Sequence, residues 1–249
     1  MPPPVNLTPA STVYRRLRSR LDAGLEALLA MALPSRCLLC GEPGASGIDL
    51  CSACHAGLPV LAAACPRCAL PMPVAETCGP CLGRRQVLSS VRAVYLYAPP
   101  LDQLLPRFKF HRDLAAGRLL AGEMALALAS AERPAALLPV PLHRARLRRR
   151  GYDQALELAR PIAMQLGLPL LGHALRRRRA TGAQSDLDAA ARRRNLRDAF
   201  AVTTPGPLPA HVALVDDVMT TGATLEAAAL ALRRAGVARV DAWVCARAP

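Results

Sequence analysis

The chain has 249 residues, of which 52% are hydrophobic and 3% aromatic, and its formal net charge is +14. This length allows one or two domains with an ample core, and no stretch is long and apolar enough to predict a membrane-spanning helix. Residues 1–85 carry +3 of the charge, so the remainder carries +11. This excess leaves two interpretations open: an anionic partner, such as phosphates, nucleic acid or an acidic membrane face, or simply a solvated surface.

The first 33 residues are predicted to form a proline-rich tail and an amphipathic helix. Apolar residues between Val13 and Leu29 recur on one helical face. Asp22 and Glu26 interrupt the apolar run, and no small-residue cleavage site follows it, so a signal peptide is not expected. The apolar face favours packing against the rest of the protein, with a membrane-surface helix as the alternative.

Eight of the nine cysteines form four Cys-x-x-Cys pairs, separated by gaps of ten, ten and nine residues. Two such pairs supply the four thiolates of a tetrahedral zinc site, so the pattern predicts two structural zinc ions, whose binding would drive folding of residues 34–85. Pairing in chain order is the simplest arrangement, and interleaved pairing is its alternative. Disulfides, redox dithiols and iron–sulfur ligation are the alternatives to zinc. Cys245 is expected to be a buried free thiol. The predicted zinc ligands are Cys37, Cys40, Cys51, Cys54, Cys65, Cys68, Cys78 and Cys81.

Strands and helices are predicted to alternate after residue 85, which indicates an α/β fold with a parallel sheet. The predicted strands are Val91–Tyr97, Leu137–Pro141, Phe200–Val202, Val212–Val215 and Val237–Cys245. The predicted helices are 114–131, Ala155–Leu166 with Gly167 as its C-cap, and a last helix from Thr224 or Leu225 to Ala235. Pro106 is expected to start or kink a helix, and Arg176–Arg197 to form a long exposed loop.

The segment Val212–Thr224 carries the most specific signal in the chain. Four apolar residues predict a buried parallel strand, Asp216 and Asp217 follow at its carboxyl end, and a Thr/Gly loop then leads into a helix. Backbone N–H groups at such a helix N-terminus bind anions, and Gly222 permits a positive φ. Carboxylates beside a phosphate cradle suit a sugar phosphate with Mg²⁺. An ordinary strand–loop–helix turn or a receiver-like acidic pocket is the alternative.

This segment resembles the phosphoribosyl pyrophosphate (PRPP) signature of the type I phosphoribosyltransferases. The resemblance implies that Asp216 and Asp217 are the catalytic acids that contact the ribose hydroxyls. It also implies that the following loop holds the 5′-phosphate. The loop residues are Thr220, Thr221, Gly222, Ala223 and Thr224.

Four blocks between residues 37 and 235 are together similar to the ComF competence proteins. The first block is the zinc ribbon Cys37–Cys81, and the second is the short block Phe108-Lys109-Phe110. The third combines Pro139–His143 with Arg150–Gln154. The fourth runs from Arg178, Thr181 and Gln184 through Arg194-Asn195 and Ala199-Phe200 to the PRPP signature. The resemblance implies a type I phosphoribosyltransferase-like open parallel sheet flanked by helices, preceded by a double zinc ribbon. It also implies a role in DNA uptake during natural transformation. One departure is Asp153, where the family usually has Asn.

The resulting domain prediction is a tail and helix over 1–33, a double zinc ribbon over 34–85 and a phosphoribosyltransferase-like domain over 86–249. Lys109 and Arg150 are predicted to join the PRPP–Mg²⁺ site, where guanidinium groups match phosphate geometry. Single-stranded DNA is the predicted macromolecular partner, beside other DNA-uptake proteins, in the cytoplasm and peripherally at the inner membrane. The predicted DNA-binding residues are Arg146, Arg149, Arg192, Arg193 and Arg194.

A metabolic phosphoribosyltransferase that transfers phosphoribose to a base or an amine is the alternative function. It would need the same PRPP site and, in addition, an acceptor pocket. The sequence identifies no acceptor, so transferase activity stays open.

Overall fold

The computed structural model describes residues 35–45, 48–83, 86–178, 199–204 and 206–248. The chain divides between His55 and Ala56 into two compact units. The first unit contains the first two cysteine pairs, and the second contains the other two pairs together with the sheet. The helix predicted before residue 34 lies outside the described residues, and the predicted domain limits stay a prediction.

The described strands are β1 Ser90–Leu96, β2 Ala136–Pro139, β3 Leu175–Arg177, β4 Phe200–Val202, β5 His211–Met219 and β6 Arg239–Arg247. The described helices are α1 Ser52–Ala56, α2 Gly79–Leu82, α3 Leu101–Phe110, α4 Leu114–Leu128, α5 Arg144–Arg150, α6 Gln154–Leu166 and α7 Ala223–Arg234. These bounds confirm the α/β class predicted from the sequence.

Four strands form a parallel sheet in the order β1-β6-β5-β2, and β3 pairs with β4 in a separate antiparallel ladder. The two central strands are almost continuously apolar, which is typical of a parallel sheet buried on both faces. Leu138, Leu214 and Val244 pack in one core with Leu232 of α7. Because alternate strand residues point to opposite faces, the equally buried Trp243 belongs to the other face, and α4 and α6 pack against the sheet as well.

The second cysteine region is hydrogen bonded to the open edge of this sheet. The Leu61 amide donates to the Val94 carbonyl at 2.9 Å, and the Leu96 amide donates to the Pro59 carbonyl at 2.8 Å. Further along β1, the Val91 amide donates to the carbonyl of Pro66, which lies inside a Cys-x-x-Cys turn, at 2.8 Å. These bonds satisfy backbone groups that an edge strand would otherwise expose.

Three local features add detail to the sequence predictions. Pro106 lies inside α3, where it removes the one backbone hydrogen bond to the carbonyl of Asp102, and the predicted kink at this residue stays a prediction. The arginine run after β2 forms α5, because Arg, Ala and Leu favour helix, and Gly151 ends it with a φ of +86°. The first two residues of the loop predicted from Arg176 belong to β3.

The remaining boundaries agree closely with the sequence. Gly167 caps α6 with a φ of +61°, as predicted, and Phe200–Val202 is a strand. The strand that carries the two acids is longer than predicted and runs through them to Met219. Residues 179–198, which include Arg192–Arg194, lie outside the described residues.

Candidate functional site

The eight paired cysteines form two clusters of four, in chain order. Within each cluster the four Sγ atoms lie within 4.8 Å of one another. The Sγ atoms of Cys40 and Cys51 are 3.7 Å apart, and those of Cys68 and Cys78 are 3.6 Å apart. A tetrahedral zinc ion with Zn–S bonds of about 2.3 Å separates its sulfurs by about 3.8 Å. The clusters therefore fit two structural zinc ions, and all nine cysteines, each in the described part of the chain, are free of disulfides.

The electrostatics of the clusters also call for a cation. Burial opposes ionisation of Cys37, but backbone hydrogen bonds, chiefly from Cys51 and Cys40, lower its pKa to about 6. In the second cluster, backbone bonds from Cys78 and Arg67 overcome burial and lower the pKa of Cys65 to about 6. In the first cluster, the neighbouring thiols of Cys51, Cys40 and Cys37 raise the pKa of Cys54 to about 12. Four sulfurs this close ionise together only around a positive charge.

A polar cavity of about 150 Å³ lies where β2 and β5 end. Four cationic side chains and two carboxylates line it, together with one amide, one hydroxyl and the turn that follows β2. The charged and polar members are Lys109, Arg146, Arg150, Arg177, Asp216, Asp217, Gln154 and Thr224. The cations outnumber the acids by two, which favours an anionic ligand.

Asp216 and Asp217 are held differently although they are adjacent. The Lys109 ammonium lies 3.0 Å from Asp217 Oδ1 and forms an ion pair with it. The Asp217 amide donates to Asp216 Oδ1 at 2.9 Å, yet burial, reinforced by the Asp217 charge, raises the pKa of Asp216 to about 8. Two adjacent carboxylates with one ammonium partner are suited to a Mg²⁺ ion or to hydroxyl donors.

Two arginines reach the cavity from α5 because they are one helical turn apart. Arg146 and Arg150 line the cavity, whereas Arg144, Arg148 and Arg149 are exposed on the same helix. The Arg150 guanidinium stacks 5.0 Å from the centroid of the Phe110 ring. The structure thus places Arg146, predicted to bind DNA, beside the acids of the predicted PRPP site.

Arg177 is the most enclosed cation of the cavity. Its side chain is 8% exposed, and its guanidinium lies 5.4 Å from the centroid of the Phe200 ring. Burial and the charge of Arg146 lower its pKa, while Asp216 opposes that effect. An anion bound between Arg146 and Arg177 would relieve their repulsion.

The turn from β5 into α7 has the backbone predicted for a phosphate loop. Gly222 precedes α7 with a φ of +77°, and a Cβ atom there would lie 2.5 Å from the Met219 methyl carbon. A side chain at this position would therefore be strained and obstructed. Thr224 lines the cavity, and Thr220 and Thr221 are exposed in the turn before it.

Asp153 has a structural role that explains an acid at this position. Its Oδ2 accepts from the Leu142 amide at 2.9 Å, and its Oδ1 accepts from the Leu156 amide at 3.3 Å. Burial nevertheless raises its pKa, and Asp217 adds to that rise. Two carboxylate oxygens can cap α6 and fix the turn after β2 at once, whereas Asn has a single oxygen.

Sequence reasoning missed two residues of the cavity. Gln154 occupies the buried stripe of α6 one turn before Leu158 and two turns before Ile162. A polar residue in an apolar stripe is the signal that would have found it. Arg177 lies on the same buried face of β3 as Leu175, but the sequence gives no sign of that strand's partner.

The comparisons with known proteins concern both parts of the chain. A family model described as a double zinc ribbon domain matches residues 28–82. The chain is 36% identical over 225 residues to the DNA utilization protein YhgH of Salmonella typhimurium, which covers 87% of this chain and 99% of that protein. It is 38% identical over 182 residues to Competence protein F of Haemophilus influenzae, covering 70% of this chain and 80% of that protein. It is 27% identical over 182 residues to Competence protein ComFC of Bacillus subtilis, covering 70% of this chain and 73% of that protein.

The fold and the two cysteine clusters define the class of protein: an α/β protein with a parallel sheet, a polar cavity at the strand ends and two Cys₄ zinc sites. With relatives of this identity and coverage, the chain belongs to the ComF family. Among the described helices, none combines the length and the apolarity that crossing a bilayer requires.

Proposed function

We propose that the cavity binds PRPP with Mg²⁺ and that the protein acts in DNA uptake with single-stranded DNA as its partner. The observation that carries the PRPP proposal is the convergence on one cavity of Asp216, Asp217, a surplus of cations and Thr224, which follows the Gly222 turn at the start of α7. Each group has a task there: the acids accept from ribose hydroxyls and hold the cation, the turn and Thr224 hold the 5′-phosphate, and the arginines hold the diphosphate. The Mg²⁺ ion would supply charge neutralisation of that diphosphate.

The proposal for DNA rests on family membership and on charge outside the cavity. Relatives of this chain are named Competence protein F and DNA utilization protein. Arg144, Arg148 and Arg149 form an exposed basic face on α5 that the cavity does not use. Such a face suits the backbone of a nucleic acid. We expect this binding in the cytoplasm, peripherally at the inner membrane.

A paired calorimetric titration, with PRPP–Mg²⁺ and with a single-stranded oligonucleotide at several salt concentrations, tests both parts. The double variant Asp216→Asn, Asp217→Asn should lose PRPP affinity and keep DNA affinity. Log DNA affinity should fall linearly with log salt, and Arg149→Ala should flatten the slope by about 0.7, one phosphate contact. The triple variant Arg192→Ala, Arg193→Ala, Arg194→Ala should flatten it by about two to three contacts.

The controls separate the two parts. Unchanged PRPP affinity in a well-folded double acid variant would contradict the PRPP site. A salt slope near zero in the parent protein would end the DNA proposal. PRPP binding without DNA binding would leave the metabolic phosphoribosyltransferase as the better account.

A further inference from the structure

The amide of Gln154 is a buried polar group that the described residues do not satisfy. The side chain is 2% exposed and lines the cavity. Neither its Nε2 nor its Oε1 has a hydrogen-bond partner in the described part of the chain. A buried amide in this state destabilises the folded protein, and its presence calls for an explanation.

The helix does not need this amide. Asp153 already caps α6, through its bond from the Leu156 amide. Gln154 lies in the buried stripe with Ala155, Leu158 and Ile162, where an apolar side chain of similar length would pack without an unmet polar group. The amide is therefore explained by what enters the cavity rather than by what holds the fold.

The chemistry of the amide restricts the group that it meets. Its NH₂ donates and its carbonyl oxygen accepts, so a satisfied amide needs an acceptor and a donor. An ionised diphosphate offers acceptors only. Burial raises the pKa of Tyr152 and the nearby Gln154 amide opposes that rise, although neither side chain makes a hydrogen bond of regular geometry within the described residues. Pairing of the Tyr152 hydroxyl with the NH₂ group would leave Oε1 unmet, so a ligand that satisfies the amide must offer a donor beside its anionic oxygens.

We propose that Gln154 binds PRPP where the ribose and the diphosphate meet, donating from Nε2 to a phosphate oxygen and accepting a ribose hydroxyl at Oε1. This inference rests on the proposed function, since it names a further contact within the same site. The neighbours of Gln154 in the cavity fit both halves: Arg146 and Arg150 favour the diphosphate, and Asp216 favours the hydroxyls.

The substitution Gln154→Met tests the proposal because Met has similar length and no polar amide. A group kept for a ligand should show opposite effects: PRPP–Mg²⁺ affinity falls about tenfold to a hundredfold, and the melting temperature without ligand rises. Pyrophosphate–Mg²⁺ affinity should fall less, because that ligand lacks the hydroxyl. The exposed Gln103 provides the matched control Gln103→Met, which should change neither affinity.

Each other result identifies what failed. If the parent protein binds PRPP and Gln154→Met binds it equally well, the inference is overturned and the proposed function stands. If Gln154→Met loses stability or does not fold, the amide is structural and the inference is overturned. Equal losses for PRPP and pyrophosphate overturn the hydroxyl contact. If the parent protein binds no PRPP, the proposed function fails and this inference fails with it.

Discussion

The second cysteine cluster and the polar cavity lie in one compact unit, but their polar groups are balanced in opposite ways. Around the cluster, N–H groups point at sulfur: the Cys78 backbone amide donates to Cys65 Sγ at 3.4 Å, and the side-chain amide of Gln86 donates from Nε2 to Cys81 Sγ at 2.7 Å. In the cavity, like charges crowd together, Asp216 resists ionisation and the Gln154 amide is unmet. The cluster is therefore arranged to stabilise the fold once zinc binds. The polar groups of the cavity destabilise the ligand-free fold and are suited to binding a ligand.

The largest effect is expected from breaking a zinc cluster. Structural zinc contributes on the order of 10–16 kcal/mol to folding. Because the second cluster is hydrogen bonded to β1, Cys65→Ser should remove one zinc ion and also lower the melting temperature of the sheet. Cys37→Ser should remove one zinc ion and spare the sheet, since its cluster lies in the other compact unit.

Elemental analysis and thermal unfolding followed by circular dichroism measure the two effects. The control Cys245→Ala changes the ninth cysteine and should keep two zinc ions per chain. Equal loss of sheet stability in Cys37→Ser and Cys65→Ser would contradict a distinct role for the second cluster. The sequence alone favours a different outcome, in which chelation unfolds residues 34–85 and leaves the sheet largely intact because the sheet has its own apolar strands.

In the cavity, a substitution is expected to stabilise the fold rather than destabilise it, and Asp216→Asn is the example. The folded protein keeps a proton on Asp216 up to a pKa of about 8, whereas an unfolded aspartate releases it near pH 4. The native state thus binds more protons over this interval, and its stability falls as the pH rises from about 4 to about 8. Asn lacks this penalty, so the variant should be more stable than the parent at pH 8 by a few kcal/mol at most, one pKa unit being about 1.4 kcal/mol. Near pH 4 the difference should vanish.

Asp113→Asn is the matched control, with the reverse dependence on pH. Burial opposes ionisation of Asp113, but the Ala116 amide and the Arg107 guanidinium outweigh it and lower the pKa. Its ionised form therefore stabilises the fold, and the variant should be less stable than the parent at pH 7, with the difference shrinking in acid. Denaturant unfolding from about pH 2 to pH 8 measures both, because the Asp113 effect is lost below about pH 4 and the Asp216 effect develops above it. The same direction for both variants would contradict the contrast drawn for the cavity.

The two regions also differ in how far sequence reasoning reaches. The cysteine clusters follow from spacing, because each Cys-x-x-Cys turn brings two ligands to one ion by local geometry. The acids and the Gly222 turn are also contiguous, so they were visible in the sequence. Arg177 and Gln154 were not, because β3 and α6 reach the cavity only through tertiary packing. The helix α5 is a similar case, since its helical spacing decides that Arg146 lines the cavity and that Arg149 is exposed.

Arg247 joins the two regions, and the smallest expected effect concerns it. From the end of β6, its Nε donates to the Cys68 carbonyl at 3.1 Å, and its Nη1 donates to the Met219 carbonyl at 3.3 Å. Cys68 is a zinc ligand, and Met219 is the last residue of β5 before the Gly222 turn. One guanidinium therefore ties the zinc site to the base of the proposed phosphate loop.

Arg247→Met removes both bonds and should cost about 1–2 kcal/mol of unfolding free energy, a net value typical of two partly exposed hydrogen bonds. Zinc content should stay at two ions, because no ligand is lost, and PRPP–Mg²⁺ affinity should fall about threefold to tenfold, because the loop loses its anchor to the ribbon. Arg92→Met, which removes an exposed guanidinium from β1, is the control and should leave PRPP affinity unchanged. Lower stability with unchanged PRPP affinity would show that Arg247 only fastens the ribbon to the sheet. Loss of PRPP affinity at full zinc occupancy would show that the metal cluster has two effects. It stabilises the fold, and through Arg247 it also shapes a cavity that itself contributes no stability.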